Sequence, residues 1–396
     1  MKKRILIIMS DTGGGHRAAA EAIREALLIK YPDQVDVTLV DVFKKYTPFP
    51  FNRAPELYPL IVNMSKTGWG AGYNWSNTRK RARNISRAIY VTAEGRMKRM
   101  LREHPADVVV SVHSVLTRIC MQALLSQEHR PPFLVVVTDL VSTHHFWYEK
   151  GADLTMLPSQ AAYDRGLEAG LDPSQMIITG LPVHPRFAVQ LPDKSEARRS
   201  LGWDANLPAV LIVGGGEGMG PMYKIARALD ARRLKCQLVI VAGRNKELHD
   251  KLLDHEWSQP THIYGFVNDM PRVMAAADLL VTKAGPATIS EACIAGLPMI
   301  LYDAIPGQEE GNVHFVVDNR AGVFETNPHQ VASIVASWLA EGKSGLRARA
   351  AAALRLARPD SVWQIADQVW KHAQQAPIPT HRRNILRQVA KQIRSI

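Results

Sequence analysis

Ile5-Leu6-Ile7-Ile8-Met9-Ser10-Asp11-Thr12-Gly13-Gly14-Gly15-His16-Arg17 is the stretch on which the reading of this chain turns. The apolar run is short enough to be one buried strand, and the alanine-rich stretch from Ala18 to Leu28 reads as a helix. Three glycines at a strand-to-helix turn let a ligand approach the backbone, because no Cβ stands in the way. His16 then falls in the first helical turn, at the carboxyl end of a strand, where open α/β folds place their chemistry. The spacing is not G-x-G-x-x-G, and no acidic ribose ligand follows at the expected distance, so a dinucleotide reading is weak. The loop reads instead as a place where an acceptor is held against a histidine base.

Working outward, the pattern of strand, helix, strand continues. Strands are expected at residues 5–9, 35–41, 108–112, 133–139, 154–157 and 177–179, with helical stretches between them. Such alternation implies a parallel sheet covered on both faces. The breaker-rich segment Thr179-Gly180-Leu181-Pro182-Val183-His184-Pro185 marks a domain junction. A second alternating set follows, with strands expected at 209–213, 238–242, 262–264, 279–282 and 299–302. The fold class is therefore α/β, with two Rossmann-like domains facing each other across a cleft. The expected division is a first domain over 1–185, a second over 186–376 and a basic tail over 377–396.

A chain of 396 residues suits two such domains. Its 46% hydrophobic and 22% charged residues are those of a globular protein rather than a disordered one. Cys120, Cys236 and Cys293 are widely separated and lie in apolar or alanine-rich contexts, which points to buried thiols rather than a disulfide framework. The basic start Lys2-Lys3-Arg4 leads into an apolar run too short for a signal peptide, and no stretch is apolar enough to span a bilayer. The net charge of +12 calls for an anionic partner: nucleotide, lipid surface or nucleic acid.

The second half carries loops suited to a nucleotide-sugar. Thr282-Lys283-Ala284-Gly285-Pro286-Ala287-Thr288-Ile289-Ser290-Glu291 places a Gly-Pro turn between a strand and a helix. Free N–H groups at that helix start, with the Thr288 hydroxyl, can hold a diphosphate. Glu291, one turn on, can accept from both ribose hydroxyls. Pro306-Gly307-Gln308-Glu309-Glu310-Gly311-Asn312 follows the next strand, and its amides and carboxylates suit sugar hydroxyls. Gly265-Phe266-Val267 can frame a flat base through backbone groups. Gly214-Gly215-Gly216 makes a second glycine-rich turn, after the strand expected at 209–213. No metal site is evident: His144 and His145 are adjacent and project differently, and no cysteine cluster exists.

Taken together, Asp11 to Arg17, Thr138-Asp139-Leu140, Thr282 to Glu291 and Pro306 to Asn312 resemble the monogalactosyldiacylglycerol synthases and the related, processive diacylglycerol glucosyltransferases of glycosyltransferase family 28. The resemblance spans about residues 4 to 370. It departs at Ala287, where the family often has glycine, and at His144-His145-Phe146-Trp147, where the plant-like synthases have His-Pro-x-Trp. It implies the GT-B architecture, with the first domain as the acceptor domain and the second as the donor domain, and an inverting transfer of a hexose, galactose favoured, from a UDP-sugar to diacylglycerol. It implies no cofactor and no essential metal. His16 becomes the general base, with Asp139 assisting and Asp11 a secondary candidate. Donor contacts fall to Gly214, Gly215, Gly216, Arg244, Phe266, Val267, Gly285, Pro286, Thr288, Glu291, Gln308, Glu309 and Asn312. A UDP-glucose donor, or a polyprenyl-linked acceptor, is the alternative.

An acceptor that stays in a bilayer gives the remaining features a reason. Residues 47–76 read as an irregular, aromatic-rich segment, with Phe49, Phe51, Tyr58, Trp69, Tyr73 and Trp75 placed to meet lipid. The acceptor side further takes Gly13, Gly14, Gly15, His145 and Trp147. Arg79, Lys80, Arg81 and Arg83 would bind anionic headgroups. In the tail, Ile385, Leu386, Val389, Ile393 and Ile396 share a helical stripe among basic residues, the pattern of a membrane-surface helix or of a docking helix. The expected place is peripheral, on the cytoplasmic side of a membrane. A nucleic-acid partner is disfavoured because the aromatics gather in one Pro/Gly-rich segment instead of interleaving with the basic residues. A non-catalytic nucleotide-sugar sensor is disfavoured by His16, Glu291 and the Gln308-Glu309 pair.

Overall fold

A computed structural model describes residues 1–12, 14–49, 51–53, 56, 65–189 and 191–380. Gly13, Tyr58 and the amphipathic stripe of the tail lie outside the described residues.

The first sheet holds β1 (Lys3–Met9), β2 (Val35–Asp41), β3 (Val108–Ser111), β4 (Phe133–Val136), β5 (Leu154–Leu157) and β6 (Met176–Ile178), in the order β2-β1-β3-β4-β5-β6. All neighbours are parallel, with Ile7 opposite both Leu39 and Val110. The second sheet holds β7 (Ala209–Val213), β8 (Gln237–Val241), β9 (Thr261–Tyr264), β10 (Leu279–Lys283), β11 (Met299–Asp303) and β12 (Gly322–Phe324), in the order β9-β8-β7-β10-β11-β12. It too is parallel throughout. Continuous runs such as Val108-Val109-Val110 and Val210-Leu211-Ile212 are fully buried, as strands covered on both faces must be.

The strand orders fix where ligands go. Each order reverses once, at β1/β3 in the first sheet and at β7/β10 in the second, and loops leaving the strands diverge there to open a crevice. The loop after β1 enters helix α1 (Gly15–Lys30) through Gly14, whose φ of +74 is open to glycine and strained for other residues. The loop after β7 is Gly214–Gly220; a Cβ at Gly218 would collide with the Ala242 carbonyl, so the turn closes only on glycine.

Strand β12 has no counterpart among the expected strands, its three residues being too short a run to stand out, and two longer segments also differ from expectation. Within the supposedly irregular residues 47–76, Lys66–Ser76 forms helix α2, whose N-terminus is capped by Ser65 accepting from Gly68 N–H. Three glycines make it a poor helix by propensity, and tertiary contacts override that: Gly70 is buried with no room for a Cβ beside Pro306. Helix α3 (Arg79–Glu103) follows, burying Met97 and Met100 in the first domain.

The second difference concerns residues after 360, which the sequence pattern placed with the donor domain. Helix α6 (Ser361–Ala373) packs Val362, Ile365, Ala366 and Val369 into the first domain's core, with Ile23 and Leu27 of α1. Ile378–Pro379, placed by the sequence reading in the basic tail, pairs antiparallel with His129–Arg130 of that same domain. The chain thus crosses between domains twice. The helices α4 (Pro286–Ile294) and α5 (Glu310–Asp318) of the second domain begin at the cleft. Among the described residues no helix is long and apolar enough to cross a membrane, and the three cysteines are buried and free.

Candidate active site

A cleft of about 1080 Å³ runs between the two sheets' carboxyl edges. His16 stands on its first-domain wall. The Val112 carbonyl lies 2.8 Å from His16 Nδ1, and Thr138 Oγ1 lies 3.0 Å from the same nitrogen. A carbonyl can only accept, so Nδ1 carries the proton and Nε2 carries the lone pair. Burial pushes the imidazole down to about 4. It is therefore a neutral group at physiological pH, held in the tautomer that offers Nε2 as a base. The partners that orient it are Val112 and Thr138, which leave β3 and β4 at their carboxyl ends.

His113 was not picked out from the sequence, yet its ring centroid is 4.3 Å from that of His16. Its Nε2 meets Thr12 Oγ1 at 3.0 Å, and burial holds it well below the usual imidazole range. The signal was available: His113 follows β3 at the same sheet edge that supplies His16. His144 rather than His145 lines the cleft, with Nε2 3.1 Å from Ser76 of α2 and burial pushing it down to about 3.

Asp139 lies in the cleft wall as expected, but its partners are different. Trp147 donates its indole N–H to Asp139 Oδ2 at 2.6 Å, and Gln308 of the second domain also bonds to it. Burial, with Glu309 nearby, raises its carboxyl to about 6 despite those two bonds. Trp147, expected against lipid, is fully buried and serves as Asp139's donor. Asp11, a secondary catalytic candidate, does not line the cleft: Arg17 grips both its oxygens at 2.8 and 2.9 Å and holds it below the usual carboxylate range.

The second-domain wall gathers Gly214, Gly215, Gly216, Arg244, Phe266, Val267, Gly285, Pro286, Thr288, Glu291, Gln308 and Glu309. Arg244 donates to Glu217 at 2.9 Å and lies 4.4 Å over the Phe266 ring. Lys283, quoted in the sequence motif but given no role, reaches Glu309 at 2.7 Å between the two glycine loops. Glu291 lies within α4, just over one turn past its start, where burial lifts its carboxyl to about 8. Asn312 departs from its expected role on the sugar. It is buried, and its amide donates to the Ala284 carbonyl at 2.9 Å, bracing the Gly-Pro loop from behind. Among the described residues no group of three or more His, Cys, Asp or Glu is placed to hold a metal ion.

The aromatic segment divides. Phe51, Trp69 and Tyr73 line the cleft, whereas Phe49 is 75% exposed and Trp75 is 58% exposed with Arg81 over its ring at 5.1 Å. Arg79, Lys80, Arg81 and Arg83 are exposed on the first turns of α3, beside Trp75. Gly14 and Gly15 line the cleft, and Gly14 faces Arg244.

Comparison with known proteins agrees with this architecture. Residues 16–183 match the family model described as monogalactosyldiacylglycerol (MGDG) synthase, and residues 209–341 match the glycosyltransferase family 28 C-terminal domain. Monogalactosyldiacylglycerol synthase 3, chloroplastic, from Arabidopsis thaliana is 40% identical over 382 residues, covering 94% of this chain and 82% of that protein. The monogalactosyldiacylglycerol synthase, chloroplastic, from Spinacia oleracea is 39% identical over 372 residues, covering 92% of this chain and 71% of that one. Among solved structures, MurG from Acinetobacter baumannii superposes with a TM-score of 0.58 at 16% identity, covering 93% of this chain and 99% of that one. HepE from Anabaena in complex with UDP-glucose gives 0.54 at 16% identity, covering 93% and 98%. These two share the fold, GT-B, which the paired sheets and the cleft between them had already outlined. With two synthase-named relatives aligned along almost the whole of both domains, the chain belongs to the monogalactosyldiacylglycerol synthase family.

Proposed function

We propose that the protein transfers a hexose, with galactose favoured, from a UDP-hexose to the free hydroxyl of diacylglycerol at a membrane surface. The observation that carries this is His16: a neutral imidazole whose Nδ1–H is tied to Val112, leaving Nε2 as base in a cleft faced by two glycine-rich loops. As the diacylglycerol oxygen forms its bond to the anomeric carbon, its proton passes to His16 Nε2. The bond from that carbon to the diphosphate breaks, and UDP leaves with the electron pair. Attack from the face opposite the leaving group turns an α-linked donor into a β-glycoside.

The nucleotide occupies the second domain. Glu291 accepts from the ribose hydroxyls, while the N–H groups of Gly214–Gly216 and the start of α4 meet the diphosphate. Arg244 and Lys283 bring positive charge to those loops, so the reading requires no metal. Gln308 and Glu309 take sugar hydroxyls, and Asp139, bonded to Gln308 across the cleft, ties acceptor wall to donor wall. Galactose is favoured because the relatives named above are galactolipid synthases by name. Exposed Trp75 and Phe49, together with Arg79 to Arg83, bring the cleft mouth onto an anionic lipid surface.

The test offers diacylglycerol in anionic liposomes with UDP-galactose or UDP-glucose, chelator present. A β-monohexosyl lipid is the expected product, with UDP-galactose the better donor. No glycolipid from either donor, with UDP still bound, would overturn the assignment of the acceptor.

A further inference from the structure

The loop Pro306–Gly311, to which the proposed function assigns the sugar hydroxyls, opens helix α5 in an unusual state. Glu309 occupies the N-cap position, yet its side chain makes no cap bond. Its carboxylate is engaged elsewhere: Oε1 receives Lys283 at 2.7 Å and Oε2 receives the Ile305 N–H at 3.0 Å. The helix start would therefore carry an unmet donor at Gly311, the second helical residue. Ser142 of the facing domain meets it, its Oγ accepting from Gly311 N–H at 2.9 Å. That is the work of an N-cap serine, done from across the cleft.

Further contacts fit Ser142 to this task. Tyr73 of α2 donates its hydroxyl to the Ser142 carbonyl at 2.8 Å, and the Tyr73 ring closes on Gly307, where a Cβ would come within 2.9 Å of it. Gly311 likewise has no room for a Cβ, which would lie 2.6 Å from Ser142 Oγ and 2.7 Å from Val141. The acceptor domain thus shapes both ends of the loop between Gly307 and Gly311.

We propose that Ser142 is a positioning residue for the donor sugar: capping α5 from the acceptor domain, it sets Gln308 and Glu309 in their sugar-binding arrangement only when the cleft is closed. The uridine and diphosphate contacts come from Gly214–Gly216, α4 and Glu291, all within the second domain, and do not depend on this bond. Loss of the cap therefore weakens the sugar's contribution and spares the nucleotide's. The inference rests on the assignment of Gln308 and Glu309 to the sugar.

The experiment compares binding of UDP and of UDP-galactose to the full chain, without acceptor, by titration calorimetry. In Ser142→Ala the Kd for UDP-galactose is expected to rise about fivefold while that for UDP stays within about twofold, the size of one lost cap bond. The KM for UDP-galactose should rise with it more than kcat falls, and Ser142→Thr, which keeps the hydroxyl, should restore both. Equal losses for the two ligands, or no change in either, would overturn the proposal. A melting curve reports folding; should Ser142→Ala unfold, Tyr73→Phe removes the bond that seats Ser142, and the same two constants decide. These constants need no glycolipid product, so absence of transfer in the liposome assay would count against the acceptor assignment and leave the capping role to be judged by binding alone.

Discussion

Glu291 makes a sharp forecast, because its carboxyl is lifted by burial to about 8 with no cation among the causes to bring it down. In the free protein at neutral pH the group is mostly protonated. Two ribose hydroxyls can both donate only to the ionised carboxylate, so donor binding draws Glu291 into its charged form and releases a proton. UDP-galactose does not titrate between pH 6.5 and 8.5, since its diphosphate is esterified at both ends. The other perturbed groups on the cleft walls lie lower, His16 at about 4, His144 at about 3 and Asp139 at about 6. With a pKa of about 8, the ionised fraction is about 3% at pH 6.5 and about three quarters at pH 8.5, so the association constant should climb about 25-fold across that range. Calorimetry in buffers of different ionisation enthalpy should find about 0.9 proton released per donor bound near pH 7. Glu291→Gln should bind more weakly, flatten the profile and abolish the release. A flat profile in the unsubstituted protein, or proton uptake on binding, would refute the assignment of Glu291 to the ribose.

The remaining forecasts concern the first domain. His16→Ala should abolish turnover and leave UDP binding nearly intact in a calorimetric titration; unchanged turnover would remove His16 from the mechanism. Because burial raises Asp139 to about 6, kcat should fall as pH drops through about 6, and Asp139→Asn should erase that limb of the pH–rate profile. Trp147→Phe removes the indole N–H that favours the ionised form, so the limb should move to higher pH and kcat should drop roughly tenfold. A limb that stays in place would show that the indole bond does not govern the titration. Replacing Trp75, Arg79, Lys80, Arg81 and Arg83 together by alanine should cut liposome flotation at least about tenfold, at about 1 kcal/mol per basic residue near an anionic surface. Full flotation of that variant would move the lipid contact elsewhere.

Much of this molecule is legible in its sequence because buried parallel strands and their switch-point loops leave dense local signals. Uninterrupted apolar runs gave every strand of the two sheets except β12 to within a few residues, and the glycine loops marked the cleft. What escaped reading depends on which side chain meets which, a matter that residue type and periodicity leave open even between near neighbours. Trp147 looks like an interfacial aromatic until Asp139, eight residues earlier, is seen to take its N–H. Asn312 carries the polarity of a sugar ligand yet faces Ala284, and Asp11 is claimed by Arg17. Helix α2 is invisible to propensity, since Gly68, Gly70 and Gly72 argue against a helix and only its packing under Pro306 favours one. His113 needed no tertiary knowledge; the strand-end rule that marked His16 marks it equally.

The double crossing of the chain bears on how the two halves can move and be exchanged. The outward passage at Gly180-Leu181 and the return at Arg358 to Ser361 touch: the Ser361 hydroxyl donates to the Leu181 carbonyl at 2.6 Å, and Gly180 has no room for a Cβ beside Arg358. Two connections pinned at one place behave as a hinge with paired knuckles, permitting opening and closing while resisting twist. If the domains open and close about it, that bias would return Ser142 to α5 in register. It also means that the first domain is finished by the last described part of the chain. Severed at the junction near residue 185, it would lose α6 and lay bare the surface that Val362, Ile365, Ala366 and Val369 cover. A chimaera that swaps donor domains between relatives should therefore exchange the segment between the two crossings and leave α6 with the half it completes.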